Sequence, residues 1–263
     1  MLDKSLNFLR PYEIKDLIRI GRNEDGGYIV PKEILNKSNF LLSFGMGSHW
    51  NFEEDFLKYS IKNKVHIYDH TVDLFFFIYR IYKSIKRIFY FKSSIKNVVY
   101  KYNELINFLK INKKRFIHYK EKVDIKKTQF CTDLITIFSR ISEKKLILKV
   151  DIEGDEYKIL KNILNFLDKI ELLIIEFHEI DIKREKFVMI IKEIQNNYNI
   201  IHLHGNNATG YCDDGLPRTI EITFLKKNID KILPLKKINK FPINGLDFPN
   251  LPYVQDLEIN FNK

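Results

Sequence analysis

The sequence predicts an α/β protein with a doubly wound, mostly parallel sheet. Three observations carry that expectation. Short apolar runs alternate with helix-like stretches along most of the chain, an order that right-handed crossovers turn into a parallel sheet. Several of those runs end abruptly at a glycine, an acid or a histidine: FLLSF before Gly45, KVHIY before Asp69, LILKV before Asp151 and LLIIEF before His178. Residues 200–204 and 219–225 then read as two strands with no helix between them, which makes that pair antiparallel.

Composition narrows the class. A chain of 263 residues has room for one large domain with a sizeable core. Its 45% hydrophobic and 30% charged residues are those of a globular protein. Cys131 and Cys212 stand far apart without C-x-x-C spacing, which argues against a disulfide framework or a cysteine zinc site and fits a reducing cytoplasm. The opening MLDKSLNFLR lacks the apolar core of a signal peptide. The most hydrophobic run, 74–85, is interrupted by Arg80 and Lys83 and is too short to span a bilayer. A cytoplasmic protein is therefore expected, at most peripheral to the inner face of a membrane. The formal charge of +10 is local: between Tyr79 and Arg115 stand eleven Lys/Arg against one acid, Glu104, and the rest of the chain balances.

One domain is expected over 1–263, with an N-terminal hairpin cap over 1–38, a basic helical insertion over 72–114 and a C-terminal wrap over 228–263. Asp25-Gly26-Gly27 between apolar runs is a hairpin turn signal. Residues 40–56, FLLSFGMGSHWNFEEDF, give a buried strand, a Gly45-x-Gly47 turn and an acidic, aromatic helix start. Such a break brings bare backbone N–H groups close to a nucleotide-like ligand. Bulk at Gly45 is expected to obstruct that approach without unfolding the chain. Asp69 follows Gly45 by 24 residues, where an acid accepts hydrogen bonds from ribose hydroxyls. It also reads as the N-cap of a helical run from Val72.

Within the insertion, Phe77, Ile81, Ile85 and Ile88 recur at helical spacing with Arg80, Lys83 and Arg87 on another face, and a second helix is expected around 100–109. Its aromatic side is expected to pack on the body. The same composition also suits an anionic membrane surface or a partner protein. Residues 115–119 read as a strand and 132–141 as a helix. In KVDIEGDEY an apolar strand ends at Asp151 and a helix starts at once, with acids in its first turn favoured by the dipole. A helix over 184–197, a polar loop over 205–217 and an irregular or flexible tail after Asn228 complete the reading. In a sheet of this kind ligands sit outside the carboxyl ends of the strands. The residues expected there are Gly45, Gly47, Asp69, Asp151, Glu176, His178 and His204.

Four segments make the sequence resemble the FkbM family of S-adenosylmethionine-dependent methyltransferases: the early DGGY, LLSFGMGSHWNFEEDF, KVDIEGDEY with the IIEFH strand after it, and HLHGNN. They span roughly 20–225. The resemblance implies a class I methyltransferase, a seven-stranded sheet with an antiparallel last strand, and O-methylation of a sugar or other small hydroxyl acceptor in surface-glycan or secondary-metabolite biosynthesis. A plain NAD fold lacks the last hairpin and usually keeps a third glycine, where this chain has His49 and Trp50. The basic insertion is a departure from the family.

Cofactor contacts are expected from Phe44, Gly45, Met46, Gly47, Asp69, His70 and Asp151, and acceptor contacts from Glu176, His204 and Asn206. A sugar hydroxyl has too high a pKa to attack unaided, so a base or a metal must take its proton. His178 is the expected base, with Asp151 orienting it or facing the methyl donor. Asp151, Glu176 and His178 holding a divalent ion is the alternative. The expected partner is a small-molecule or glycan acceptor, with membrane or protein contact through the segment from Tyr79 to Arg115. Nucleic acid is not expected, because no Asn-Pro-Pro-Tyr-like base-methylation motif appears. Two rival classes remain. An RNA methyltransferase with the insertion as its RNA arm predicts salt-dependent RNA retention, and a non-catalytic interaction module predicts no cofactor binding.

Overall fold

The computed structural model describes residues 2–90, 92–111, 114–227 and 237–261. Strands β1 (Leu17–Gly21) and β2 (Gly27–Pro31) form the N-terminal hairpin, closing with Gly21 opposite Gly27, so the Asp-Gly-Gly turn falls where the sequence placed it. Helix α1 (Lys32–Lys37) leads into β3 (Phe40–Phe44), α2 (Asn51–Tyr59) and β4 (Lys64–Tyr68). The insertion is a pair of helices, α3 (Leu74–Phe89) and α4 (Ile95–Leu109). Phe77 packs on Phe108 at 4.8 Å between rings and Arg80 reaches Glu104, so the two helices run antiparallel.

Then follow β5 (Phe116–Tyr119), the short parallel pair β6 (Lys122–Val123) and β7 (Cys131–Thr132), and α5 (Leu134–Ser139). Strand β8 (Leu146–Val150), α6 (Glu156–Ile163), β9 (Ile170–Phe177) and α7 (Arg184–Ile194) continue the alternation. The long strands β10 (Tyr198–Gly205) and β11 (Ile220–Lys226) and the small pair β12 (Lys240–Phe241) and β13 (Ile259–Asn260) end the described chain.

Seven strands form one sheet in the order β10-β11-β9-β8-β3-β4-β5, and β11 is antiparallel to both of its neighbours. The remaining contacts between neighbours are parallel. The chain builds outward from β3 through β4 to β5, then returns to place β8 on the other side of β3. Strand order therefore reverses between β3 and β8, the place where such sheets open a crevice at their carboxyl ends.

Period-2 alternation sorts the core into two layers. Phe40, Leu42, Phe44, Leu148 and Val150 pack with α5, α6 and α7 on one face. Leu41, Val65, Ile67, Ile147 and Ile174 pack with α1, α2 and the hairpin on the other. Lys149 belongs by alternation to this second face, beside Ser43, and is 4% exposed.

Several boundaries differ from the sequence reading. Asp73, not Asp69, caps α3, its carboxylate accepting from Phe76 N at 2.8 Å. Helix α4 starts a turn earlier than 100, and α5 is shorter than 132–141 because Cys131 and Thr132 pair with Lys122 and Val123. The tail is a wrap: Asn207 Nδ2 donates to Leu251 O and Val254 O, and Asp247 and Asp256 bind His202 and His204 of β10. Residues 228–236 and 262–263 of the expected wrap, and 91 and 112–113 of the insertion, lie outside the described residues. Among the described residues no helix is long and apolar enough to cross a membrane.

Candidate active site

At the carboxyl ends of β3, β4 and β8 lies a cleft of about 400 Å³. Its floor is the loop after β3. Gly45 holds φ +87 there, and a Cβ on it would stand 1.7 Å from the carbonyl oxygen of Asp151. The glycine is thus required by the splice between β3 and β8, where Asp151 N also donates to Phe44 O at 2.9 Å. This corrects the expectation that bulk at Gly45 leaves the fold intact. Gly47, with φ +55, has open space where a Cβ would go and lines the cleft. Phe44 is corrected as well: its ring lies in the core against Tyr68, because both faces of β3 are covered, and it does not line the cleft.

Asp69 closes the loop from the β4 side. One carboxylate oxygen accepts from Met46 N at 2.9 Å and Gly47 N at 3.1 Å. The other accepts from Thr71 N at 2.8 Å and Thr71 Oγ1 at 2.6 Å. Burial works against its charge, but Thr71 and the backbone donors outweigh that and hold the carboxyl below its ordinary value. All four of its lone-pair sites are taken by protein. Asp69 therefore shapes the floor of the cleft; Met46 and His70 line the same cleft, His70 from an exposed position.

Asp151 stands at the opposite wall. Tyr28, carried in by β2, donates its hydroxyl to Asp151 Oδ2 at 3.1 Å, and the Lys149 ammonium is 3.5 Å from the same oxygen. Lys149 also donates to Gly45 O at 3.2 Å and lies 3.9 Å from Glu53, which accepts from Ser43 at 2.7 Å. Burial works to lower the Lys149 pKa, yet Asp151 and Glu53 outweigh it and keep the ammonium above its usual value. Tyr28 is pushed well above the ordinary phenol range by burial and then by Asp151. The sequence reading missed Tyr28, Lys149 and Glu53. The available signal was a lysine inside an apolar strand two residues before an acid, a position that needs a buried partner.

His178 follows β9, which pairs with β8, so it neighbours Asp151 as expected. Its Nε2 is 3.5 Å from Glu153, and Nδ1 is 3.4 Å from Glu156. Glu156 is fully buried and ties the strand ends together, accepting from Gly154 N at 2.8 Å and His178 N at 2.7 Å. Burial works to lower the imidazole's pKa, but Glu156, Asp151 and Glu153 outweigh it and hold the group above its ordinary value. His178 does not line the cleft itself; Glu153, 3.5 Å from its Nε2, does, so the imidazole stands behind Glu153.

The other predicted residues are set back. Glu176 is buried and accepts from Asn206 Nδ2 at 2.9 Å. Its carboxyl is raised well above the usual range by burial and then by Asp151 and Glu221. His204 is buried, bound to Asp256 at 3.0 Å, and its pKa climbs to about 10, where burial is overcome by Asp256 and Glu221. Glu176, His204 and Asn206 form a support layer rather than a cleft wall. The expected ion-binding set changes too: among the described residues, Asp151 and His178 converge with Glu153, while Glu176 converges with Asp25 and Glu221.

No family model matches the sequence, and no curated protein matches it. Among solved structures, fibrillarin, a pre-rRNA processing protein of Methanococcus jannaschii, is similar at 10% identity over 73% of this chain and 68% of its own, with a TM-score of 0.39. TrmK of M. capricolum, solved with S-adenosyl-homocysteine, gives 13% identity, 75% and 69% coverage and a TM-score of 0.37. TYW2 of M. jannaschii, solved with AdoMet, gives 15% identity, 74% coverage of each chain and a TM-score of 0.32. Likeness of that extent carries no argument about chemistry. The fold rests on strand order: seven strands with β11 reversed between β9 and β10 make the class I methyltransferase fold.

Proposed function

We propose that the protein is an S-adenosylmethionine-dependent O-methyltransferase acting on a hydroxyl of a sugar or other small polyol-like acceptor, in surface-glycan or secondary-metabolite biosynthesis. The carrying observation is the cleft of about 400 Å³ at the reversal between β3 and β8, floored by an open glycine and walled by carboxylates. Its size is within the range for a small cofactor. Asp25, Asp151 and Glu153 line it and suit a cationic sulfonium, while Tyr68 and Val123 offer apolar surface toward the β4 and β5 side. When bound there, the sulfonium supplies an electrophilic methyl group.

The chain's own residues do the rest. The loop from Gly45 to Gly47, fixed by Asp69, positions the donor. Asp151, fixed by Tyr28 and Lys149, and Glu153 orient the acceptor hydroxyl at the rim. His178 takes its proton. Orientation of the reacting atoms supplies much of the rate, and the base adds on the order of 10²–10⁴-fold. The Lys149 ammonium, 3.5 Å from Asp151, offsets that carboxylate's charge, which favours proton transfer to the imidazole over a divalent ion held by Asp151, Glu153 and His178. Incubating the chain with labelled S-adenosylmethionine and a panel of activated sugars, followed by mass spectrometry, tests this reading. A product heavier by one methyl group supports it. Labelling of RNA alone, or dependence on a divalent ion after chelation, would replace it.

A further inference from the structure

Helix α3 turns an aromatic stripe to solvent. Phe75, Ile78, Tyr82, Ile85 and Phe89 are exposed at 76%, 46%, 59%, 41% and 78%. Their spacing of three and four residues puts them on one face, opposite the buried Phe77 and Ser84 that pack inward. Ile95, Val99 and Tyr102 are likewise exposed along α4. A monomer seldom leaves so many large apolar side chains contiguous and uncovered.

The cations lie beside the stripe. Lys83, Lys86 and Arg87 are exposed along α3, and Lys92 and Lys96 are exposed around the turn into α4. The segment's one acid does not offset them, because Glu104 is buried and held by Arg80 at 3.2 Å and Lys101 at 3.0 Å. The solvent face of α3 is therefore apolar along its stripe and cationic beside it. Apolar side chains entering the headgroup boundary with cations meeting anionic lipid is the chemistry of an interfacial helix. A nucleic-acid arm needs cations and stacking rings, but gains nothing from Ile78, Ile85, Ile95 and Val99 facing a phosphate backbone.

We infer that the α3–α4 hairpin is a docking surface for an anionic membrane, which holds the chain at the lipid–water interface without crossing it. This reading is independent of the reaction in the cleft. None of the stripe residues lines the cleft.

The test is co-sedimentation of the full chain with vesicles of phosphatidylcholine alone and of phosphatidylcholine with phosphatidylglycerol, at low and high salt. Two variants accompany it: Lys83→Ser/Lys86→Ser/Arg87→Ser and Phe75→Ser/Tyr82→Ser/Phe89→Ser. All six positions are exposed, and an unchanged thermal midpoint by circular dichroism certifies folding. Expected are binding to the anionic vesicles only, steep weakening with salt, and a loss on the order of a hundredfold for the triple cation variant. The stripe variant should lose binding at both salt concentrations. Failure to bind anionic vesicles overturns the inference, as does full binding by the stripe variant. Retention on single-stranded RNA with no vesicle binding would make the hairpin a nucleic-acid arm instead.

Discussion

Exchanging Gly45 and Gly47 separately for alanine should divide folding from cofactor binding. At Gly45 the new methyl meets the Asp151 carbonyl at 1.7 Å, so β3 and β8 must part at their carboxyl ends. A side chain held at positive φ costs about 1–2 kcal/mol, the strained Asp151-to-Phe44 hydrogen bond about 0.5–1.5 kcal/mol, and forced repacking about 1–3 kcal/mol. A total of about 2.5–6.5 kcal/mol is a large part of the roughly 5–15 kcal/mol that holds a domain together. At Gly47 nothing stands within 4 Å of the added methyl, so the fold should lose only about 1–2 kcal/mol. That methyl projects where a ligand would lie, and affinity should fall roughly 10- to 100-fold, an overpacking penalty of about 1–3 kcal/mol. Urea denaturation reads the first quantity and calorimetry the second. A Gly45→Ala chain with the parental urea midpoint would refute the reasoning, as would a Gly47→Ala chain that binds S-adenosylmethionine normally.

Three further outcomes are expected. His178→Ala should lower methyl transfer by on the order of 10²–10⁴ with cofactor affinity retained; because its neighbours raise the imidazole's pKa, parental turnover should rise with pH above 6.5 as the imidazolium gives up its proton, and the variant should lose that limb. Lys149→Met should leave Asp151 and Glu53 without their buried cation and cost about 3–5 kcal/mol, measured as a urea midpoint shift; an unshifted midpoint would show that the ammonium contributes nothing net. The raised pKa of His204 gives stability that is fully present below pH 6.5 and lost as pH climbs through about 10, so the melting temperature of His204→Gln should fall less over that range than the parent's.

Strand positions were legible because the sheet is buried on both faces. Runs such as FLLSF and LLIIEF carry their own signal, and the abrupt glycine or polar residue after each marks the rim. The reversed strand was legible from the missing helix between β10 and β11. Side-chain direction was not. Asp69 sits at the expected strand end, but its oxygens turn back to Met46, Gly47 and Thr71, a choice made by the loop's unpaired N–H groups. Gly45 read as a place for ligand approach, whereas the neighbour that needs it is Asp151, more than a hundred residues away in sequence. Tyr28 and Lys149 escaped for the same reason: their meaning depends on β2 and β8 arriving at one wall. The tail's role lay in long-range contacts from Asp247 and Asp256 to His202 and His204 that no local pattern announces.

Titrating the purified chain with S-adenosylmethionine in a calorimeter tests the cleft most directly, with S-adenosylhomocysteine as competitor and NAD as control. The expected result is one site per chain, displaced by S-adenosylhomocysteine, silent toward NAD and weakened by Gly47→Ala. A folded chain that gives no heat with S-adenosylmethionine, or binds it with unchanged affinity in the Gly47→Ala variant, would contradict the assignment of the cleft.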